Sequence, residues 1–161
     1  MATIHIPIQK CENELLVSSE DSDLMSRTWL LNRYVKTAGR PHEPVHRLVL
    51  ERKIGRALMP GEYADHANND IFDNTRENLR VATASESVWN RRKFTKPSKS
   101  GYTGVYPVWG CNDRWSARIA LHNQRFRLGT YDSALEAAYV YDQFALQLRG
   151  AFASLNVLDH S

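Results

Sequence analysis

Trp115-Ser-Ala-Arg-Ile-Ala-Leu-His-Asn-Gln-Arg-Phe-Arg-Leu-Gly-Thr-Tyr131 is the stretch that decides the architecture of the C-terminal part. Trp115, Ala117, Ile119 and Leu121 alternate with Ser116, Arg118, Ala120 and His122, and Phe126 and Leu128 alternate with Arg125 and Arg127. A period of two is that of a half-buried strand, so the stretch predicts two antiparallel strands joined by a short turn around Asn123. Upstream, Val105, Tyr106 and Val108 supply a third strand before a turn at 110–113. Downstream, Asp132 or Ser133 can cap a helix that carries Ala134, Ala138, Tyr141, Ala145 and Leu148 on one face and ends at Gly150. Packing the apolar sheet face on that helix leaves Arg118, Arg125 and Arg127 facing solvent. A small sheet projecting arginines fits the DNA major groove. The other reading is a charged outer sheet face that binds nothing, and the absence of neighbouring acids counts against it.

Charge along the chain points the same way. From Trp89 to Thr130 there are nine basic residues (Arg91, Arg92, Lys93, Lys96, Lys99, Arg114, Arg118, Arg125, Arg127) and the single acid Asp113, or +8 in a chain whose total is +3. The remainder is therefore −5. A basic block with interleaved Trp and Tyr suits a polyanion, most often nucleic acid, although on charge alone a solvated basic surface is an equal alternative. Trp109, in the turn region of the predicted sheet, stands apart from the other tryptophans, which read as core. A composition 42% hydrophobic and 24% charged over 161 residues excludes disorder and collagen. No apolar run approaches the roughly 20 residues that cross a bilayer, and no secretion signal is visible. Cys11 and Cys111 lie a hundred positions apart without a CxxC partner, so neither a disulfide framework nor a cysteine zinc site is expected. A reducing, cytoplasmic setting follows as the expectation, with no membrane partner and no small-molecule cofactor.

Toward the N-terminus, alternating Ile4, Ile6 and Ile8 followed by residues 15–17 predict a strand pair, and the acidic stretch 18–23 caps a short helix to about Arg27. Residues 29–35 read as extended, a loop carries Gly39, Pro41 and Pro44, and the apolar run 45–50, including His46, reads as a strand. Residues 62–78 are polar and turn-rich, too irregular for helix or strand periodicity, and loops of this kind carry sites. A helix is predicted from about Ser85 to Arg92, followed by the linker Lys96-Pro-Ser-Lys-Ser-Gly101. The domain boundary is placed there, giving units 1–96 and 97–161.

Gly101-Tyr-Thr-Gly-Val-Tyr106, Trp115-Ser-Ala-Arg-Ile119, Leu128-Gly-Thr-Tyr131, Ala137-Ala-Tyr-Val-Tyr-Asp142 and Leu155-Asn156 together resemble an apetala-type, ethylene-response-factor-like DNA-binding domain. The resemblance implies three antiparallel strands packed on one helix, with the exposed sheet face in the major groove. Arg118, Arg125 and Arg127 stand on the reader strands, whereas Tyr106, Val108 and Ala120 stand where plant members carry further arginines. The resemblance therefore does not imply the plant recognition site.

The upstream part resembles phage HNH endonucleases, including homing enzymes, in Val45-His-Arg47, Asp65-His-Ala-Asn68, Asp73-Asn74, Asn78-Leu-Arg-Val-Ala-Thr83 and Asn90-Arg-Arg92. Together the resemblances imply an α+β protein: an HNH ββα-metal nuclease domain with an N-terminal strand lead-in, then the DNA-binding sheet. For phage-encoded members the setting is the bacterial host cytoplasm. The implied partner is double-stranded DNA and the implied cofactor is one divalent metal, Mg²⁺ or Mn²⁺.

The resemblance makes His66 the general base that deprotonates water, a role suited to an imidazole with a pKa near about 6.5. It makes Asp65 a metal ligand, assigns Asn78 to orienting His66, and leaves Asn74 to stabilise the loop. Arg91, Arg92 and Lys93 would track backbone phosphates, with Trp109, Arg118, Arg125 and Arg127 in the second DNA-binding surface. Ser87 stands at the helical metal-ligand position usually held by Asn or His. A serine hydroxyl is a shorter, weaker ligand, so metal affinity and rate are expected to fall. Asn90, one turn on, could substitute, but reads better as structural or DNA-contacting. The resulting reading is a DNA endonuclease that nicks; the alternative is a sequence-specific DNA-binding protein on a disabled nuclease scaffold, which Ser87 favours and the retained Asp65, His66 and Asn78 oppose, and an RNA-binding protein is a weaker third.

Overall fold

The computed structural model describes residues 2–90, 99–121 and 124–158. It is a mixed α/β structure built from small sheets, and it divides into two compact units, Met1–Val88 and Trp89–Ser161. The sequence-based boundary near residue 97 and the turn at Asn123 lie outside the described residues.

In the first unit, β1 (Thr3–Pro7) and β2 (Glu14–Ser18) form an antiparallel hairpin, as the alternating isoleucines require. A 3-10 segment, Ser19–Ser26, follows. Ser18 does not cap it; its hydroxyl instead accepts the backbone N–H of Arg76 at 2.8 Å. Residues 29–35 are not one extended run but a turn flanked by β3 (Trp29–Leu31) and β4 (Val35–Thr37).

The run 45–50 corrects the strand expectation, because it begins the helix α1 (Val45–Ile54). Val45 and Val49, one turn apart, are both fully buried, a helical spacing that a six-residue apolar run conceals. Gly55 ends the helix in the left-handed conformation at φ 70°, where its N–H reaches the Arg52 and Glu51 carbonyls.

The polar stretch 62–78 likewise begins as a strand, β5 (Glu62–His66), paired antiparallel with β6 (Leu79–Thr83) in the register Asp65↔Arg80 and His66↔Leu79. Pairing with β6, rather than the alternation of its own side chains, makes β5 a strand. A helix α2 (Ala84–Asn90) follows, one residue earlier than expected. Its start is a reciprocal cap: Glu86 accepts the Thr83 N–H at 2.7 Å and hydroxyl at 2.8 Å, and Thr83 Oγ1 accepts the Glu86 N–H. α1 lies against β5 and β6, and Lys53 Nζ donates to the Leu79 carbonyl at 2.7 Å. The core of this unit gathers Ile6, Leu15, Val17, Leu24, Trp29, Val35, Val45, Val49, Leu50 and Leu79. Each such side chain contributes on the order of 1.5–3 kcal/mol on burial.

In the second unit, β7 (Val105–Pro107), β8 (Trp115–Leu121) and β9 (Gln124–Tyr131) form one antiparallel sheet in that order. The helix α3 (Ala134–Arg149) starts at Ser133, whose hydroxyl accepts the Leu135 N–H. Val105 and Ala117 of the sheet pack with Ala137 and Ala138 of the helix, and Ile119 packs with Tyr141 and Ala145. Leu148, expected on the inner face, is 40% exposed. Gly104 sits at φ 76° directly beneath Tyr141: an added Cβ would lie 2.2 Å from its ring, so any side chain forces helix and sheet apart. Asp142 is completely buried, its carboxylate accepting the backbone N–H groups of Asn156, Val157 and Leu158, while Asn156 Nδ2 reaches the Thr103 carbonyl. The two motif ends, residues 101–106 and 155–156, are thereby clasped to one helix.

Candidate active site and nucleic-acid interface

Asp65 and His66 close β5, and the loop 67–78 returns to β6. Both side chains sit in residues only 7% exposed. Hydrogen bonds and ion pairs from the N-terminal elements hold the interior of the loop. The N–H of Leu16 in β2 donates to the Phe72 carbonyl at 2.9 Å, and the Asn74 N–H returns to the Leu16 carbonyl at 2.8 Å. Arg76 pairs with fully buried Asp21 at 2.7 Å, and Arg52 approaches the same carboxylate at 3.2 Å. The N-terminal hairpin and the 3-10 segment therefore brace the loop.

The asparagine contacting His66 is Asn74, not Asn78. Asn74 is completely buried; its Nδ2 donates to the Ile71 carbonyl at 2.9 Å, which turns Oδ1 toward His66 Nε2 at 3.1 Å. An amide oxygen only accepts, so Nε2 carries the proton and Nδ1 the lone pair of the neutral ring. Asn78 instead braces the loop: Oδ1 accepts the Asn68 N–H at 3.0 Å and Nδ2 donates to the Asp73 carbonyl at 2.7 Å. The sequence motif names both asparagines, but only the fold of the loop decides which one faces the imidazole.

Burial pushes the pKa of His66 below the ordinary histidine range, opposed by the Asn74 hydrogen bond and by Asp65, Asp73 and Asp70. His46, on α1, lies with its ring centroid 5.3 Å from that of His66. Its pKa is pushed down to about 4, first by burial and then by His66. Both rings are therefore neutral at neutral pH. A sequence reading that put His46 on a strand could not align it with His66.

Arg80, directly opposite Asp65 in the register, donates from Nε to Asp65 Oδ2 at 3.0 Å. Among the described residues no group of three or more His, Cys, Asp or Glu side chains is placed to share a metal ion. One carboxylate suits a hard ion such as Mg²⁺ or Mn²⁺ that keeps several waters and takes phosphate oxygens, rather than a closed protein cage. Ser87 is half-buried on α2.

In the second unit Arg118, Arg125 and Arg127 are all exposed on one sheet face, Arg118 opposite Arg127 and Arg125 opposite Ala120. The Arg118 guanidinium lies 5.4 Å over the Tyr106 ring. Trp109 is 99% exposed in the turn between β7 and β8, so it is no part of the core. Phe126, expected on the apolar face, is 45% exposed. Arg91, Arg92 and Lys93 lie outside the described residues. Among the described residues no helix is long and apolar enough to cross a membrane.

Comparison with known proteins finds one matching family and two similar relatives. Residues 43–88 match the HNH endonuclease family. The chain is 26% identical over 118 residues to an uncharacterized HNH endonuclease of Acanthamoeba polyphaga mimivirus, covering 73% of this chain and 57% of that protein. It is 31% identical over 108 residues to an ethylene-responsive transcription factor of Arabidopsis thaliana, covering 63% of this chain and 64% of that protein. The chain thus spans less than two thirds of the length of either curated relative.

Proposed function

We propose that this protein is a divalent-metal-dependent DNA endonuclease, with the site in residues 1–96 and the DNA-positioning surface in residues 97–161. The observation that carries this reading is the Asn74–His66 contact next to Asp65, a pairing that presents Nδ1 of a neutral, partly desolvated imidazole as a base. The match of residues 43–88 to HNH endonucleases supports it.

In the proposed reaction His66 takes a proton from water on Nδ1 while Asn74 holds Nε2–H. Asp65, with Ser87 or a water in its place, would hold a Mg²⁺ or Mn²⁺ ion, whose charge would stabilise the phosphate and the leaving oxygen. Arg80 sets the direction of the Asp65 carboxylate. Arg118, Arg125 and Arg127, with Tyr106 and Trp109, bind duplex DNA through phosphates and the major groove. One site cuts one strand, so a single copy nicks.

Ser87 favours a second reading, a DNA-binding protein whose nuclease is disabled. Supercoiled-plasmid nicking with Mg²⁺ or Mn²⁺, an EDTA control, and the variants His66→Ala and Ser87→Asn separates the two. Nicking that His66→Ala abolishes supports the endonuclease. Activity confined to Ser87→Asn, or absent from every preparation, supports the second reading, and duplex RNA as competitor tests the preference for DNA.

A further inference from the structure

The proposed chemistry uses Asp65, His66 and Asn74, yet a ring packed beside His66 belongs to a residue with no assigned part. His46 occupies the first turn of α1, half-buried, with its ring tilted 58° to that of His66 at 5.3 Å between centroids. Behind it stands Tyr34, 4.8 Å away and tilted 59°, and the Arg33 guanidinium lies 5.7 Å over the Tyr34 ring. The row leads from the solvent edge inward to the base.

A single hydrogen bond such as Asn74–His66 settles which nitrogen points where, but restrains rotation of the ring about that bond only weakly. A tilted ring packed against the imidazole restrains that rotation, because aromatic pairs have a preferred geometry. The support is rigid: α1 is anchored by fully buried Val45 and Val49 and by the Lys53 contact to the strand that pairs with β5. His46 meets the site through the His66 ring, so its effect on the site runs through His66.

We propose that His46, backed by Tyr34, is a positioning residue whose ring holds the His66 imidazole in the plane that Asn74 orients. The inference rests on His66 being the base, and it distinguishes a ring requirement from simple filling of space. Phenylalanine at position 46 preserves a ring, whereas leucine preserves volume without one.

The test is long-range ¹H–¹⁵N NMR of the histidine rings at pH 7.5, without metal or DNA, in the protein as it stands and in His46→Phe, His46→Leu and His46→Ala, with thermal melts in parallel. The expected result is one sharp Nε2–H tautomer for His66 in the parent and in His46→Phe, and a broadened or mixed pattern in His46→Leu and His46→Ala. Unchanged His66 signals in a cooperatively melting His46→Leu or His46→Ala protein overturn the proposal; if His46→Ala fails to fold, His46→Leu decides. With Mg²⁺ and supercoiled plasmid, His46→Leu should nick with kcat lowered about tenfold and KM unchanged, and His46→Phe should recover the rate. An inactive parent protein removes the endonuclease reading, while the NMR result still decides the role of His46.

Discussion

Nε of Arg80 lies 3.0 Å from Oδ2 of Asp65, across a directly opposed pair of the β5–β6 hairpin. The carboxylate is almost entirely buried and the arginine side chain only 20% exposed. A pair this sheltered makes its members depend on one another, because removing one leaves the other charge poorly solvated. The carboxylate proposed to bind metal is thus also a structural counter-charge.

Asp65→Ala should therefore do two things: abolish nicking and lower stability by about 1–3 kcal/mol. Urea denaturation of Asp65→Ala, Arg80→Met and the double variant measures the coupling. Additive effects would show that the pair contributes nothing beyond its separate members.

The two loop asparagines should separate rate from stability. Asn74→Ala is expected to reduce nicking by about 10- to 100-fold by releasing the orientation of His66. Asn78→Ala loses two loop-bracing hydrogen bonds and is expected to cost about 1–3 kcal/mol, seen as a lower melting temperature. Kinetics at saturating metal, beside melts of both variants, check the division; equal rate losses at matched stability would refute it.

His46 should make stability depend on pH. Its folded pKa, about 4, lies below the ordinary 6.5. The unfolded chain therefore binds the proton first, and stability complete above pH 6.5 declines as the pH falls toward 4. The loss is on the order of 2–3 kcal/mol, with His66 adding in the same direction. Denaturant midpoints for the parent and His46→Phe over that window test it, and the variant should show the flatter curve.

The exposed arginines of the sheet should set the salt dependence of binding. Arg125→Ala combined with Arg127→Ala should weaken duplex binding and reduce the slope of log K against log salt by up to about 2, since each phosphate contact contributes about 0.9. Fluorescence anisotropy from low to moderate salt measures the slope. An unchanged slope would place DNA elsewhere than this face.

The sequence by itself determined the elements whose side chains follow a simple period: the N-terminal hairpin, β8, β9 and α3, where burial of one face repeats every two or every 3.6 residues. It also brought out Asp65, His66 and the three sheet arginines, because motif spacing and uncompensated charge are properties of the linear chain. It did not determine α1, whose apolar run 45–50 is too short to tell a helix from a strand, nor β5, which is a strand through its partner and not its own alternation. Only tertiary structure decided that Asn74 rather than Asn78 meets His66, that Arg80 faces Asp65, and that His46 packs on His66. Those contacts depend on strand register, on the path of a loop braced from β2, and on a helix laid across the hairpin. Each joins residues at least eight positions apart, so no local period records it.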